Sequence, residues 1–127
     1  MFKRLFDLFS KKNTKPILVL EVIQYYLDNE RPLEVVTLSP EMVVSIGRSR
    51  KNNLFLNLPF ISKEHGVFFK EGNYWYYEDK SRLGSFLERR SKLFPVHKKR
   101  FNLKQGDIVK IVEQEQGYFI VVKELKK

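Results

Sequence analysis

The chain has 127 residues, which is enough for one ordinary domain and too few for two. Hydrophobic residues make up 43% of it, which excludes a disordered chain, and the absence of Cys excludes disulfides and thiolate metal sites. The formal net charge of +9 favours an anionic partner or simple solubility, so charge alone does not decide the function. Nothing in the composition indicates secretion, and we expect a cytoplasmic protein.

The first residues of the chain, 1–12, differ from the rest. Their large apolar side chains recur at helical spacing: Phe2, Leu5, Phe6 and Phe9. This spacing predicts a short amphipathic helix, followed by a polar joint that ends before Pro16. We therefore divide the chain into an N-terminal segment, 1–15, and a main domain, 16–127. Two roles for the segment stay open, docking on the main domain or weak peripheral contact with an anionic membrane.

From Pro16 onward the pattern changes to short runs of β-branched and aromatic residues separated by turn signals. In chain order, we predict strands at residues 17–26, 33–38, 42–46, 54–56, 66–70, 73–78, 85–88, 107–113 and 118–124. The basic stretch 93–101 has no clear assignment. Short strands at even spacing, with no helical pattern between them, predict an all-β fold, either a sandwich or a closed barrel.

Four short motifs lie in the loops between these strands, where a rigid scaffold places its binding groups. Gly47 and Arg48 end a strand, and the planar guanidinium is well suited to phosphate. An S-x-x-H motif at 62–65 precedes a hairpin, and a D-x-S-x-x-G-S run at 79–85 follows it. An L-x-x-G-D motif at 103–107 precedes the last hairpin. Each motif is common by itself, and only their order and spacing are informative.

In that order the motifs resemble those of the forkhead-associated (FHA) domain family, over residues 17–123. The resemblance implies a β-sandwich of about eleven short strands whose loops hold a phosphothreonine-bearing peptide, as in a signalling adaptor. By matched position it implies these ligand-binding residues: Arg48, Ser62, Lys63, Ser81 and Arg82. It also implies three residues that support the loops: Gly47, His65 and Gly84.

One position departs from the family pattern. Leu83 stands where the family usually has an Asn that holds the peptide backbone just after the phosphothreonine. A leucine side chain cannot form that hydrogen bond. The alternative is therefore an FHA scaffold that binds its partners independently of phosphate.

Two further runs have both a structural and a functional interpretation. The aromatic run 74–77 is typical of a strand that fills a core with alternate residues, but it is also typical of a platform that stacks nucleic-acid bases. The basic run 97–100 indicates a solvated loop or a nucleic-acid patch. We favour the interpretation of 74–77 as core and of 97–100 as a solvated loop. A basic β-domain that binds nucleic acid is then a second, less favoured alternative.

Enzyme motifs are not evident. Ser62 and His65 lack the strand–turn–helix setting of a nucleophilic serine, and no glycine-rich phosphate loop precedes a helix. We therefore predict a non-enzymatic protein–protein interaction module that requires no metal or cofactor.

Overall fold

The computed structural model describes residues 15–127, and within this range the chain is built from eleven strands. The helix predicted at residues 1–12, with its docking or membrane role, lies outside the described residues. Over 15–127, no helix is long and apolar enough to cross a bilayer. The strands are β1 (Ile17–Tyr26), β2 (Asn29–Leu38), β3 (Val44–Gly47), β4 (Leu54–Phe55), β5 (Gly66–Glu71), β6 (Tyr74–Asp79), β7 (Ser85–Arg89), β8 (Lys92–Val96), β9 (Arg100–Asn102), β10 (Ile108–Glu113) and β11 (Gln116–Lys126).

These strands form two sheets that pack face to face. The six-stranded sheet has the order β2-β1-β11-β10-β7-β8, and the five-stranded sheet has the order β4-β3-β5-β6-β9. Neighbouring strands are antiparallel except β3 and β4, which form a short parallel pair. Alternate residues of β1, Leu18, Leu20 and Val22, are buried between the sheets, as the two-residue period of a strand requires. The predicted all-β sandwich is confirmed.

The aromatic run of β6 shows the same alternation. Trp75 and Tyr77 are fully buried, and Tyr77 packs against Phe68 with ring centroids 4.8 Å apart. Tyr76 points to the other face of the sheet and stacks on Phe69 at 5.7 Å. The interpretation of this run as core and cross-strand pairs is therefore confirmed.

Two regions differ from the predicted strands. β2 begins at Asn29, earlier than expected, because the hairpin turn before it needs only two residues, of which Leu27 has a φ of 52°. The unassigned stretch 93–101 contributes β8 and β9, which flank a turn at Lys98. Four of the five residues of β8 are exposed, so this edge strand lacks the alternation that identifies strands in a sequence.

Strand register brings the motif loops to one end of the sandwich. Ile46 near the end of β3 pairs with Gly66 at the start of β5, and Gly66 pairs with Asp79 at the end of β6. From Asp79 the chain crosses to the six-stranded sheet, which it enters at Ser85. Three connections therefore lie side by side at one end of the sandwich: β3–β4, β4–β5 and β6–β7. We call this end of the sandwich the loop end.

Candidate functional site

The three connections of the loop end meet at Ser62. The Arg48 backbone N–H donates to the carbonyl oxygen of Ser62 over 2.9 Å, and the Arg82 N–H donates to its hydroxyl oxygen over 3.0 Å. Arg48 and Arg82 are both exposed. The structure thus brings together three of the residues expected to bind phosphate. The Ser62 hydroxyl accepts from Arg82, which leaves its own proton free to donate to a ligand.

The Arg48 side chain is oriented by one hydrogen bond within the protein, and its outer donors stay available. Its Nε donates to the carbonyl oxygen of Ile61 over 3.0 Å. Among the described residues, its two terminal nitrogens have no protein partner. A guanidinium that is fixed at Nε and open at its outer edge presents a pair of donors suited to two phosphate oxygens.

Gly47 allows the β3–β4 and β4–β5 connections to approach each other closely. A Cβ atom at this position would lie 2.2 Å from the carbonyl oxygen of Lys63, a backbone atom that cannot give way cheaply. The Asn52 amide nitrogen ties the same connections by donating to the carbonyl oxygens of Ser49, at 2.8 Å, and Lys63, at 2.6 Å. Asn52 belongs to none of the sequence motifs, and only the structure identifies it as part of the site.

His65 supports the loops from inside. It is 1% exposed, its Nδ1 accepts the Ser62 N–H over 3.1 Å, and its Nε2 lies 3.1 Å from the carbonyl oxygen of Gly84. Because Nδ1 accepts, the ring proton lies on Nε2 and is donated to Gly84, so the imidazole is neutral. Burial lowers the pKa of His65 below 6.5, and the nearby Asp79 carboxylate and the Gly84 carbonyl only partly oppose this effect. His65 therefore links two of the motif loops, and its buried position is unsuited to contact a ligand.

Asp79 is the centre of the β6–β7 connection. It is 1% exposed, and its carboxylate accepts the N–H of Ser81 and the N–H of Lys98, each over 3.0 Å. It also accepts the hydroxyl of Ser85 over 2.6 Å, so the buried Tyr77 hydroxyl, 2.7 Å from Ser85, must be the donor in that last pair. Burial raises the pKa of Tyr77, which stays neutral. This buried network gives the β6–β7 connection its shape.

The Ser81 side chain lies inside the β6–β7 connection. It was expected to line the ligand surface, but Ser81 is 0% exposed. Its hydroxyl donates to the Asp79 carboxylate, at 2.9 and 3.0 Å, and accepts the Gly84 N–H over 2.7 Å. The Ser81 hydroxyl thus both donates and accepts within the loop. It supports the loop backbone and has no free proton to donate to a ligand. The sequence spacing could not reveal this, because the side-chain direction depends on the Asp79 network.

The remaining predicted residues lie around the same loops. Lys63 is exposed and lines a cleft on the outer face of the five-stranded sheet. Gly84 has a φ of 93°, a left-handed conformation that favours glycine. Leu83, just before it, is 55% exposed and presents an apolar side chain at the loop surface.

Several cations on the sheets are paired with carboxylates. Lys110 pairs with Glu88 at 2.6 Å and Arg100 with Glu71 at 2.9 Å. At the loop end, among the described residues, six cations have no carboxylate partner: Arg48, Arg50, Lys51, Lys63, Lys80 and Arg82. The loop end is therefore an electropositive surface whose charges are available to an anionic ligand.

The basic run 97–100 divides between two environments. His97 Nε2 lies 3.1 Å from the carbonyl oxygen of Ser81, and the Lys98 N–H donates to Asp79, so this turn braces the β6–β7 connection. Arg100 instead lies on the five-stranded sheet, where it pairs with two glutamates and covers the Phe69 ring at 5.0 Å. The run is not one continuous patch of free charges.

Over residues 15–127, no group of three or more His, Asp or Glu side chains is placed to hold a metal ion. The chemistry that the loop end offers is anion binding, through the outer nitrogens of Arg48, the Ser62 hydroxyl and the exposed Arg82.

Comparisons with solved structures agree with this architecture. An FHA domain of an Arabidopsis thaliana protein is 18% identical, with a TM-score of 0.63, and the match covers 90% of this chain and 89% of that one. The MEK1 FHA domain is 21% identical, with a TM-score of 0.64 and coverages of 92% and 98%. The N-terminal FHA domain of Rad53p from S. cerevisiae, solved with a phosphothreonine peptide, is 19% identical, with a TM-score of 0.59 and coverages of 83% and 94%.

No curated protein sequence matches the chain closely enough to serve as a relative. The sequence profile of the FHA domain, however, matches residues 44–112, which is more than half of the chain and extends from β3 to β10. This range contains the Gly47-Arg48 pair, the serine–histidine motif and the Asp79 loop. The chain belongs to the FHA domain family.

Proposed function

We propose that this protein is a non-enzymatic interaction module that binds a phosphothreonine-bearing peptide at its loop end. The observation that carries the proposal is the meeting of Arg48, Ser62 and Arg82, which lie on three separate connections joined by hydrogen bonds to Ser62. The three offer a guanidinium, a hydroxyl proton and a second cation to one anionic group.

The loop end is also held by hydrogen bonds within the protein. Arg48 is held through Nε by Ile61, and the β6–β7 connection is held by the buried Asp79 network. Donors that are already in place need little ordering when the ligand binds, so more of the interaction free energy appears as affinity.

Solved relatives support the same ligand. The Rad53p domain was crystallised with a phosphothreonine peptide, and another structural neighbour, 19% identical with a TM-score of 0.56, comes from work on phosphothreonine-dependent FHA interactions. In this proposal the phosphate accepts from Arg48, Ser62 and Arg82, while Lys63 contributes from the edge of the site. Ser81 acts on the ligand only through the loop that it supports.

Leu83 makes the alternative, a scaffold that ignores phosphate, worth testing directly. Its exposed apolar side chain offers no hydrogen bond to a peptide backbone. Replacement Leu83→Asn restores the family residue at an exposed site, and we expect it to tighten phosphopeptide binding with little change in stability. Unchanged affinity would show that the peptide does not pass over this position.

The central experiment compares the binding of peptides with phosphothreonine, phosphoserine and unmodified threonine by fluorescence anisotropy. We expect only phosphorylated peptides to bind, phosphothreonine best. Arg48→Ala removes a charge-assisted contact of about 1.5–3 kcal/mol, a loss of roughly 10- to 150-fold in affinity.

The matched control is Arg90→Ala, since Arg90 is an exposed arginine in the β7–β8 turn at the opposite end of the sandwich. It should leave affinity unchanged. Equal binding of unmodified peptides, or an equal effect of the two arginine variants, contradicts the proposal. Binding to an oligonucleotide that falls steeply with salt and depends on Lys98 and Lys99 would favour the nucleic-acid alternative instead.

A further inference from the structure

A cleft of about 500 Å³ lies on the outer face of the five-stranded sheet, next to the loop end but on the other side of the β3–β4 connection. Its floor contains Ser45 and Val67, which are cross-strand partners in β3 and β5, together with Gly66. Small residues on two adjacent strands make the floor concave, and the surrounding connections form the walls.

The walls of this cleft are basic. Lys51, Lys63 and Lys80 line it, from three different connections, and Glu64 is the one acidic residue among the lining residues given for it. In the part of the chain that the structure describes, none of the three lysines forms an ion pair with a carboxylate. Three free ammonium groups around one concavity favour an anion over any neutral or cationic ligand.

The lysine-bearing walls are fixed in position by two asparagines. Asn52 ties the carbonyl oxygens of Ser49 and Lys63 together. Asn53 accepts the Ser45 N–H over 2.8 Å, and its own N–H donates to the Ser45 hydroxyl oxygen over 3.1 Å. The β3–β4 connection is therefore bound to the sheet floor on one side and to the β4–β5 connection on the other.

The cleft and the loop-end site share the β3–β4 connection as a wall. The Ser49 N–H donates to the Lys63 carbonyl oxygen over 3.2 Å, and Arg48, the residue before Ser49, belongs to the loop-end site. A ligand that reaches Arg48 from this side must pass the cleft. One extended peptide can therefore contact both places.

We propose that the cleft is a second anion subsite, which takes a further phosphoryl group or a carboxylate on the same peptide that places its phosphothreonine at Arg48. The inference rests on the proposed function, because it assumes that the ligand is a phosphopeptide. It adds a specificity that the loop end alone does not have: peptides with a second negative group near the phosphothreonine bind more tightly than singly charged ones.

The test compares three peptide sets that share one phosphothreonine. One set has no other acidic residue, one has a phosphoserine, and one has a glutamate, each placed at successive positions on both flanks. We expect a phosphoserine at the right position to improve affinity about tenfold and a glutamate to improve it less, because the phosphoryl group carries more charge and more acceptors.

The diagnostic variant is Lys51→Gln combined with Lys80→Gln, which keeps a long polar side chain at each position and removes two charges. It should abolish the gain from the second anionic group, so that a peptide with a second anionic group binds no more tightly than the singly phosphorylated one. The control, Lys92→Gln combined with Lys104→Gln, removes two exposed lysines elsewhere on the surface and should keep the gain. Two results would overturn the proposal. One is an affinity gain from the second anionic group that survives in the Lys51 and Lys80 variant, and the other is the absence of any gain at every peptide position.

Failure of the second anion subsite can be distinguished from failure of phosphothreonine binding. If no phosphothreonine peptide binds, the proposed function fails, and the cleft is tested alone with inorganic phosphate by NMR. Saturable shifts of the Ser45, Gly66 and Val67 amides that are lost in the Lys51 and Lys80 variant would keep the anion site, and their absence would remove it. Binding of an oligonucleotide through these lysines, with no effect of flanking groups on the peptide, also overturns the proposal.

Discussion

Two aspartates, Asp79 and Asp107, lie at opposite ends of the sandwich, and each is 1% exposed. Asp107, before β10, is paired with an arginine: Arg89 donates from Nε over 2.8 Å and from a terminal nitrogen over 2.7 Å. Asp79, at the loop end, pairs with no Lys or Arg among residues 15–127, and the basic side chain paired with it is the neutral His65 at 3.7 Å. Its charge is balanced by N–H and O–H donors instead.

The difference shows how a buried network can shape the loop end and still leave it electropositive. A buried carboxylate needs compensation from either a cation or several hydrogen bonds. At the Asp107 end an arginine provides it, and that arginine is then unavailable to a ligand. At the loop end the donors are backbone N–H groups and hydroxyls, so Arg48 and Arg82 keep their charges for an incoming anion.

The largest effect is expected from Asp79→Ala. It leaves the N–H groups of Ser81 and Lys98 and the hydroxyl of Ser85 without their acceptor in a buried place. We expect the free energy of unfolding to fall by about 3–4 kcal/mol, measured by urea denaturation. Phosphopeptide affinity should fall with it, because the β6–β7 connection loses its internal frame. Unchanged affinity in a folded variant would contradict this role.

Asp107→Ala removes the buried carboxylate at the other end of the sandwich. Arg89 loses its partner, but its side chain is 24% exposed and can be hydrated again. We expect a smaller loss of stability, about 2–3 kcal/mol, from the same denaturation experiment, because the exposed part of Arg89 regains hydrogen bonds to water. Phosphopeptide affinity should stay at the native value, because Asp107 is remote from the loop end. A parallel loss of affinity would mean that the two ends are coupled.

Lowering the pH tests the neutral state of His65. Burial depresses the pKa of His65 below 6.5, so the native state binds fewer protons than the unfolded state in that range. Its contribution to stability is complete above pH 6.5 and is lost as the pH falls toward the depressed pKa, with a slope of at most about 1.4 kcal/mol per pH unit. The imidazole resonances of His65, followed by NMR, should titrate below 6.5. Titration at or above 6.5 would refute the assignment.

The smallest effect concerns two glycines with nearly equal φ angles. Gly84, at the loop end, has a φ of 93°, and Gly106, beside Asp107, has a φ of 92°. Replacement by alanine strains each backbone by about 1 kcal/mol. Only Gly84→Ala should also weaken phosphopeptide binding, because the carbonyl oxygen of Gly84 receives the His65 proton. Equal affinities for the two variants would show that this hydrogen bond does not matter for the ligand.

Much of the fold is predictable because most strands are short runs of β-branched and aromatic residues bounded by turn signals. The run ILVLEVIQYY predicts β1 at its observed bounds. The sequence does not predict β8 and β9, because Pro95 and the basic run 97–100 interrupt the apolar residues there. A buried face is not required for the prediction, since β2, with one buried residue in ten, is still predicted over 33–38.

The order of the loop motifs and the residue types that could bind an anion can be read from the sequence alone, since glycine, arginine, serine and histidine occur there at fixed spacings. The direction in which each side chain faces depends on the folded structure. Ser81 turns inward to Asp79, while Ser62, in an equally polar motif, keeps a hydroxyl proton for a ligand. The reason is physical: a loop side chain is oriented by hydrogen bonds to groups distant in the chain, and those partners exist only after the strands have paired.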